Sequence, residues 1–165
     1  SSLTLRTPDS SGVHRQDWTV GIGADALRDI DLKINAASSS VVLAGANLSQ
    51  LGADMNAGDL LIDGTGATIG EIDATVNAGR LRVTLVGPTT GDLSVNAGAI
   101  ELCVPPDAAL NLEVKDQFTF ATNVEARGLT QNGDTWTRQG SGGLIDLSIE
   151  GNAASFTLDP EGGCK

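Results

Sequence analysis

The sequence predicts an all-β fold, a single-stranded β-solenoid (β-helix) with coils of about 21 residues and an inserted β-hairpin. Three observations support this class. A short Asn-Ala-Gly or Asn-Ala-Ala word recurs at nearly constant spacing, and apolar residues alternate with polar ones on both sides of it. The chain also has 21 glycines and only 3% aromatic residues, so its interior must be built from Leu, Ile, Val and Ala, with many sharp turns.

The recurring word predicts the corners of stacked coils. It begins at Asn35, Asn56, Asn77 and Asn96, with separations of 21 (56 − 35), 21 (77 − 56) and 19 (96 − 77) residues. Such a period is typical of repeated structural units. Glycine supplies a positive φ at low cost, and asparagine tolerates that region or bonds its own backbone. We therefore assign structural corner turns to Asn35, Asn56, Gly58, Asn77, Gly79, Asn96, Gly98 and Asn152.

Alternation on both sides of the corner predicts two half-buried strands per repeat. Before the third corner come Ile72, Ala74 and Val76, and after it come Leu81 and Val83. On each side of the corner, these apolar residues are two positions apart. This period of two is that of a strand with one buried face. Adjacent coils would lie about 4.8 Å apart, so equivalent residues would stack into apolar ladders.

The outward positions after the corner predict cross-coil ion pairs. Asp59 and Arg80 share one outward column, and Arg82 and Glu101 share another. We expect each pair to form between adjacent coils and to contribute roughly 0.2 to 1 kcal/mol. These pairs would help to fix the register but would not hold the fold together.

The two cysteines, Cys103 and Cys164, could form one disulfide in an oxidising compartment or remain thiols in a reducing one. Cys103 falls in an outward column, where a core thiol is not expected, so we favour the disulfide. It would tie down the end of the chain and stabilise the fold by about 4 kcal/mol on the chain-entropy model.

Beyond Pro105 the period is interrupted, and we predict an inserted, exposed ribbon over residues 116–143. Within it, Gln131-Asn132-Gly133-Asp134 predicts a tight hairpin centred on Asn-Gly. The solenoid then resumes with a final coil around Asn152. Two apolar residues in outward columns, Val42 and Leu61, either mark a partner-binding face or lie under the ribbon, and we favour the second interpretation.

We treat residues 1–165 as one domain, because a second would leave little core for either. Residues 1–15 are expected to be flexible. Trp18, Val20 and Ile22 alternate and would cover the open edge of the first coil. The chain begins at Ser1 without a signal peptide, so we interpret it as a part of something larger.

Charge and hydropathy argue against several classes of partner. The net charge of −11 repels nucleic-acid phosphates and anionic lipid headgroups. No apolar run approaches the roughly 20 residues that a membrane-spanning helix needs. We therefore expect a soluble piece that binds neither nucleic acid nor a simple membrane surface.

The sequence contains no recognisable catalytic or metal site, so we expect no enzyme activity and no cofactor. The only histidine is His14, which argues against a Ser-His-Asp triad or a histidine-ligated zinc site. Two carboxylate pairs, Asp29 with Asp31 and Glu71 with Asp73, would be roughly 6.6 to 7 Å apart by strand rise. That spacing suits glycan hydrolysis or calcium, but no aromatic residues accompany them and a solvated acidic edge is favoured.

Several features together resemble a known family. They are Asp17-Trp18-Thr19-Val20 leading into residues 27–34, the repeated corners, the exit Cys103-Val104-Pro105-Pro106-Asp107 and the closing coil over residues 144–158. This arrangement, over about residues 15–159, is similar to the C-terminal domain of the cell-wall-active antibiotics response (LiaF-type) proteins and the related adhesin-type toast-rack β-solenoids. In that family the domain commonly follows membrane helices.

The resemblance implies a non-enzymatic, extracytoplasmic sensor or interaction domain of a bacterial envelope-stress or cell-surface protein, anchored to the membrane in the full-length protein. Its partner would be an envelope protein, such as a membrane sensor, or a surface polymer, and self-association is possible. The alternative is a structural or adhesive surface module that binds glycans or other surface partners. A glycan hydrolase using Asp31 or Asp73 is the least favoured hypothesis.

Overall fold

A computed structural model describes residues 2–6, 28–115, 123–124 and 127–163 of the chain. These ranges contain β-strands and turns and no α-helix. The described strands are β1 Ser2–Arg6, β2 Asp29–Val42, β3 Asn47–Asp63, β4 Thr68–Thr84, β5 Thr89–Cys103, β6 Ala109–Val114, β7 Thr130–Asn132, β8 Thr135–Arg138 and β9 Leu144–Leu158.

All of these strands belong to one sheet, in the order β1-β2-β3-β4-β5-β9-β6-β8-β7. Every pairing from β1 to β6 is parallel, and only β6–β8 and β8–β7 are antiparallel. The register makes residues one period apart into lateral neighbours, such as Met55 with Val76 and Val76 with Val95. The predicted all-β solenoid fold is confirmed.

Each long strand passes through its corner without a break, whereas the sequence predicts two strands per repeat. The backbone ladder continues on both sides of the corner, with Ile34 opposite Met55 and Ala36 opposite Ala57. Only the asparagine between them has no paired partner in the ladder. We call the residues before the corner asparagine of β2–β5 and β9 the first arms, and the residues after it the second arms.

The corner asparagines form a ladder of side-chain hydrogen bonds from coil to coil. Nδ2 of each donates to Oδ1 of the asparagine in the preceding coil, at 3.0 Å for Asn56 to Asn35, 3.0 Å for Asn77 to Asn56, 2.8 Å for Asn96 to Asn77 and 2.7 Å for Asn152 to Asn96. None of the five has a positive φ. Their structural role therefore differs from the one expected, because they bond the neighbouring coil instead of adopting a left-handed turn.

In β4, both backbone conformation and crowding require glycine at the third position of the corner word. Gly79 has a φ of 135°, and a Cβ there would lie 1.8 Å from the carbonyl oxygen of Gly58. In β9, glycine precedes the corner asparagine and alanine takes the third position of the word. Gly151 takes the inward column opposite Val95, and a fully buried Ala154 stands opposite Gly98. The corner of β9 thus has a small inward residue before the asparagine and a methyl group inside after it.

The two arms of each coil enclose one apolar core. In the first arm of β4, Ile72 and Val76 are fully buried, and in its second arm so are Leu81 and Val83. The same columns contain Phe156 and Leu158 in β9, which are also fully buried. Because inward residues of both arms contact the same interior, neither arm can be stable alone.

The last strand occupies a position that the sequence does not predict. β5 and β6 follow one another in the chain, yet β9 lies between them and pairs in parallel with both. The sequence predicts an interruption of the period beyond Pro105 and a final coil around Asn152, but it does not predict that this coil lies between β5 and β6. The described part of the ribbon pairs at the far side of β6, through β8.

This placement changes two expectations about the ribbon. Its turn is centred on Gly133-Asp134, one residue later than predicted, because Asn132 pairs with Thr135 and Gly133 has a φ of 63°. The described ribbon strands lie at the opposite end of the sheet from β2, so they do not cover Val42, which is 67% exposed.

The start of the chain also differs from expectation where it is described. Residues 2–6, expected to be flexible, form β1 and pair with residues 29–33 of β2. The rest of the predicted flexible segment lies outside the described residues, as do His14, the predicted edge strand with Trp18, Val20 and Ile22, and residues 116–122 of the ribbon.

Candidate binding face

The outward side of the second arms forms a continuous face across five coils. We call it the second-arm face. Its residues alternate with the buried ones and stand in two adjacent columns. They are Ser38, Ser40, Asp59, Leu61, Arg80, Arg82, Ala99, Glu101, Ser155 and Thr157.

A cavity of about 300 Å³ opens on this face, and we call it the hollow. Its lining residues come from three consecutive strands and are Ser38, Ser39, Ser40, Asp59, Leu60, Leu61, Arg80 and Arg82. Parallel strands place equivalent residues side by side at nearly equal height. The hollow therefore spans three coils, with Asp59 and Leu61 of β3 between the short serines of β2 and the long arginines of β4.

Glu101 binds both arginines at one side of the hollow. Nε of Arg82 lies 2.6 Å from Oε2 of Glu101, and Nε of Arg80 lies 3.4 Å from Oε1. The side chains of Arg82 and Glu101 are only 23% and 17% exposed, whereas that of Arg80 is 50% exposed. One carboxylate with two acceptor oxygens can serve both guanidinium groups.

The predicted pairing of Asp59 with Arg80 needs correction. The two residues are lateral neighbours in the ladder, but the ion pairs of the described chain include none between them. Arg80 contacts Glu101 of the following coil instead. The register alone could not decide this, because a long arginine side chain can reach a carboxylate on either adjacent coil.

The hollow thus combines several kinds of recognition group. The Nε atom of Arg80 contacts Glu101, and no hydrogen bond within the described chain occupies its two terminal nitrogens. Asp59 supplies an acceptor, the serine hydroxyls supply both donors and acceptors, and Leu61 supplies an apolar surface. This set can hold a ligand by a few hydrogen bonds together with contacts to the carbon atoms that make up most of the exposed lining. The sequence signal for it is the serine run of residues 38–40, which our sequence analysis did not single out.

The outward side of the first arms, with β6 alongside, has a different character. Lys33 stands in these columns and Lys115, directly after β6, contacts Glu150 there, against nine carboxylates. These are Asp29, Asp31, Asp54, Glu71, Asp73, Asp92, Glu113, Asp146 and Glu150.

The carboxylate pairs weighed for catalysis or calcium lie on this acidic side. Asp29, Asp31 and Glu71 are exposed, and Oδ2 of the half-buried Asp73 accepts a hydrogen bond of 3.2 Å from Nε2 of Gln50. Within residues 28–115, 123–124 and 127–163, no group of three or more His, Cys, Asp or Glu side chains could hold a metal ion.

Cys103 is the last residue of β5 and is half-buried. Its predicted partner Cys164 lies outside the described residues, so the pairing stays a prediction. The chain after β9 does return to this place, because the backbone N–H of Asp159 donates to the carbonyl of Leu102 at 2.8 Å. Oδ1 of Asp159 in turn accepts from the N–H of Val104 at 2.9 Å.

Comparisons with known proteins give one likeness of fold. No protein-family model matches the sequence, and no curated protein matches it either. A solved structure of a "putative cell adhesion protein" from Clostridium sporogenes is similar, with a TM-score of 0.56 and 10% sequence identity. The match covers 89% of this chain and 66% of that protein, so this chain spans just under two thirds of its length. At this identity the likeness concerns the fold alone.

Over the described residues, no helix has the length and apolar character that crossing a membrane requires.

Proposed function

We propose that this chain is a non-enzymatic interaction module of a bacterial cell surface or envelope, and that its second-arm face makes the contact. The observation that carries the proposal is the hollow. It is a concave, hydrogen-bonding site on a face whose three strands, β2, β3 and β4, are joined by parallel ladders. A preorganised face loses little conformational freedom on binding, which favours affinity.

Binding fits the hollow better than catalysis does. A nucleophilic serine needs an adjacent base such as histidine, and the residues lining the hollow include serine, aspartate, leucine and arginine but no histidine. Arg80 and Asp59 can donate to and accept from a ligand without any bond being made or broken. Absence of enzyme activity is therefore part of the proposal.

The fold likeness supports a surface role. The similar solved structure is described as an adhesion protein, and stacked coils that present one repetitive face suit such a task. An extracytoplasmic location would also allow Cys103 to be oxidised. We favour a hydroxyl-rich surface polymer as the ligand, because the serine hydroxyls and Asp59 match sugar hydroxyls as hydrogen-bonding partners.

The sensor role implied by the LiaF-type resemblance is the finer alternative. In that case the same face would bind an envelope protein, such as a membrane-bound sensor, instead of a polymer. The serine, arginine and aspartate groups of the hollow can also bind a peptide backbone. A binding experiment is therefore needed to distinguish a surface polymer from an envelope protein as the ligand.

The test is a binding screen of the wild-type chain against a glycan array and, in parallel, a pull-down from solubilised bacterial envelope. We expect glycan binding that Ser40→Trp abolishes, because the indole ring fills the hollow. Ser94→Trp, which adds the same ring to the first arm of β5, serves as the matched control and should bind normally. Specific retention of one envelope protein, lost in Ser40→Trp, would favour the sensor role. Binding in neither assay, or equal loss in both variants, would contradict the proposal.

A further inference from the structure

Strand β9 fills a slot between β5 and β6. β5 and β6 are joined by a short turn over residues 104–108, in which the N–H of Ala108 donates to the carbonyl of Pro105 at 3.1 Å. Despite this direct connection, β5 and β6 stand two strand positions apart with β9 between them. Because adjacent strands are about 4.8 Å apart, the two strands flank a slot one strand wide.

β9 contributes much of the sheet pairing and core on this side of the molecule. It has 13 register partners in β5, from Thr89 to Leu102, and six in β6, from Ala109 to Val114. Its residues Ile145, Ile149, Phe156 and Leu158 are fully buried. Without β9, two strand edges and their apolar columns would face each other across an empty slot, an arrangement that readily accepts another strand.

The linker that brings β9 into its own slot is short and tightly constrained. Arg138 of β8 stands opposite Leu110, and Leu144 of β9 stands opposite Ala109, so residues 139–143 must cross from one side of β6 to the other. The crossing passes directly over the β5–β6 turn. A Cβ at Gly140 would lie 2.2 Å from the carbonyl oxygen of Asp107, and the N–H of Gly142 donates to the same oxygen at 2.9 Å.

We propose that this slot also takes the β9 strand of a second copy of the chain, so that two copies join by exchanging their last strands. Every contact of β9 with β5 and β6 is then made between copies instead of within one. Only the linker conformation differs between the closed monomer and the exchanged dimer, which is the condition under which domain swapping is inexpensive. Protein concentration and the linker therefore decide between them.

The side chains that bind the end of β9 can equally bind the end of a β9 strand from another copy. Asn123 donates through Nδ2 to the carbonyl of Leu158 at 2.8 Å and accepts the N–H of Leu158 through Oδ1 at 2.7 Å. Nε of Arg127 donates to the same carbonyl at 3.2 Å. These groups belong to the chain segment before β9, so they recognise its end irrespective of which copy supplies it. Self-association of this kind does not depend on the ligand of the hollow.

The experiment changes the linker length in both directions. Deletion of residues 140–142 leaves two residues to cross β6, which is too few to pass over the turn, and should give a folded dimer. Insertion of Gly-Ser-Gly after Gly142 keeps the crossing possible and should give a monomer. Light scattering coupled to size-exclusion chromatography measures the mass, and circular dichroism checks folding. The unmodified chain, refolded from urea at increasing concentration, should give a rising dimer fraction.

A covalent trap identifies the exchanged strand. Ser94 of β5 and Glu150 of β9 are register partners, at a separation that suits a disulfide. In the double variant Ser94→Cys and Glu150→Cys, the exchanged dimer should remain a dimer on a non-reducing denaturing gel, whereas a dimer without exchange should run as a monomer. The proposal is overturned if the disulfide between positions 94 and 150 of the dimer forms only within single copies, so that the dimer runs as a monomer on the gel. It is equally overturned if the deletion variant is a folded monomer. It is also overturned if the deletion variant fails to fold and the refolded wild-type chain stays monomeric at every concentration.

Discussion

The first and second arms share a backbone ladder and a core but differ in their exteriors. On the outward side of the first arms and β6, nine carboxylates stand against two lysines, a net charge of −7. In the outward columns of the second arms, Asp59, Asp63 and Glu101 stand against Arg80 and Arg82, a net charge of −1. The inward residues of both arms thus form the shared core, while their outward residues differ in charge, and the hollow lies on the second arms.

The largest expected effect tests whether the two arms have one core. Ile72→Ala in a first arm and Phe156→Ala in a second arm each remove a fully buried side chain, so we expect losses of about 2–5 and 3–5 kcal/mol in the free energy of unfolding. Urea denaturation should show a single transition for both variants. Two separate transitions, or a loss confined to one arm, would show that the arms are independent units.

The next effect concerns the corner that joins the arms. Asn77→Ala removes one donated and one accepted amide hydrogen bond at 2.8 to 3.0 Å, and we expect a loss of about 1–2 kcal/mol. Thr75→Ala, two residues earlier on the same strand, is the control and should stay within about 0.5 kcal/mol of wild type. Equal stabilities of the two variants would show that the asparagine ladder does not hold the coils together.

The smallest stability effect compares ion pairs on the two exteriors. Arg82 and Glu101 are 2.6 Å apart and largely shielded, whereas Lys33 and Asp54 are 3.6 Å apart with side chains 50% and 64% exposed. Double-mutant cycles to alanine should give a coupling of about 1 kcal/mol for the first pair and about 0.2 kcal/mol for the second. Added salt should weaken the exposed pair more. The reverse order would contradict our description of the second-arm face.

The arms and corners could be predicted from the sequence because each depends on a local pattern. Alternation of Ile72, Ala74 and Val76 requires a half-buried strand, and a constant spacing of asparagines requires stacked coils. The position of β9 could not be predicted in this way. Leu147 stands beside both Gly91 and Leu112, and an apolar residue of its size fits the same interior column in several strand orders.

The hollow could be predicted only in part. The register that brings Asp59, Arg80 and Glu101 onto adjacent coils follows from the repeat. The choice of Arg80 to contact Glu101 instead of Asp59 depends on side-chain conformation, which a column alignment does not contain. The part that Ser38 and Ser40 play in the hollow could not be predicted, because their own pattern does not indicate a cavity shared with arginines two coils away.

The most direct test of the central claim compares Arg80→Ala with Lys33→Ala in binding to the ligand that the screen identifies. Both residues are cations whose side chains are 50% exposed and form one ion pair, so the two variants change net charge equally on opposite exteriors. We predict that Arg80→Ala raises Kd by about tenfold or more, the effect of losing a charge-assisted hydrogen bond of about 1.5–3 kcal/mol, and that Lys33→Ala leaves Kd unchanged. An unchanged Kd for Arg80→Ala, or an equal rise for both variants, would contradict the assignment of binding to the second-arm face.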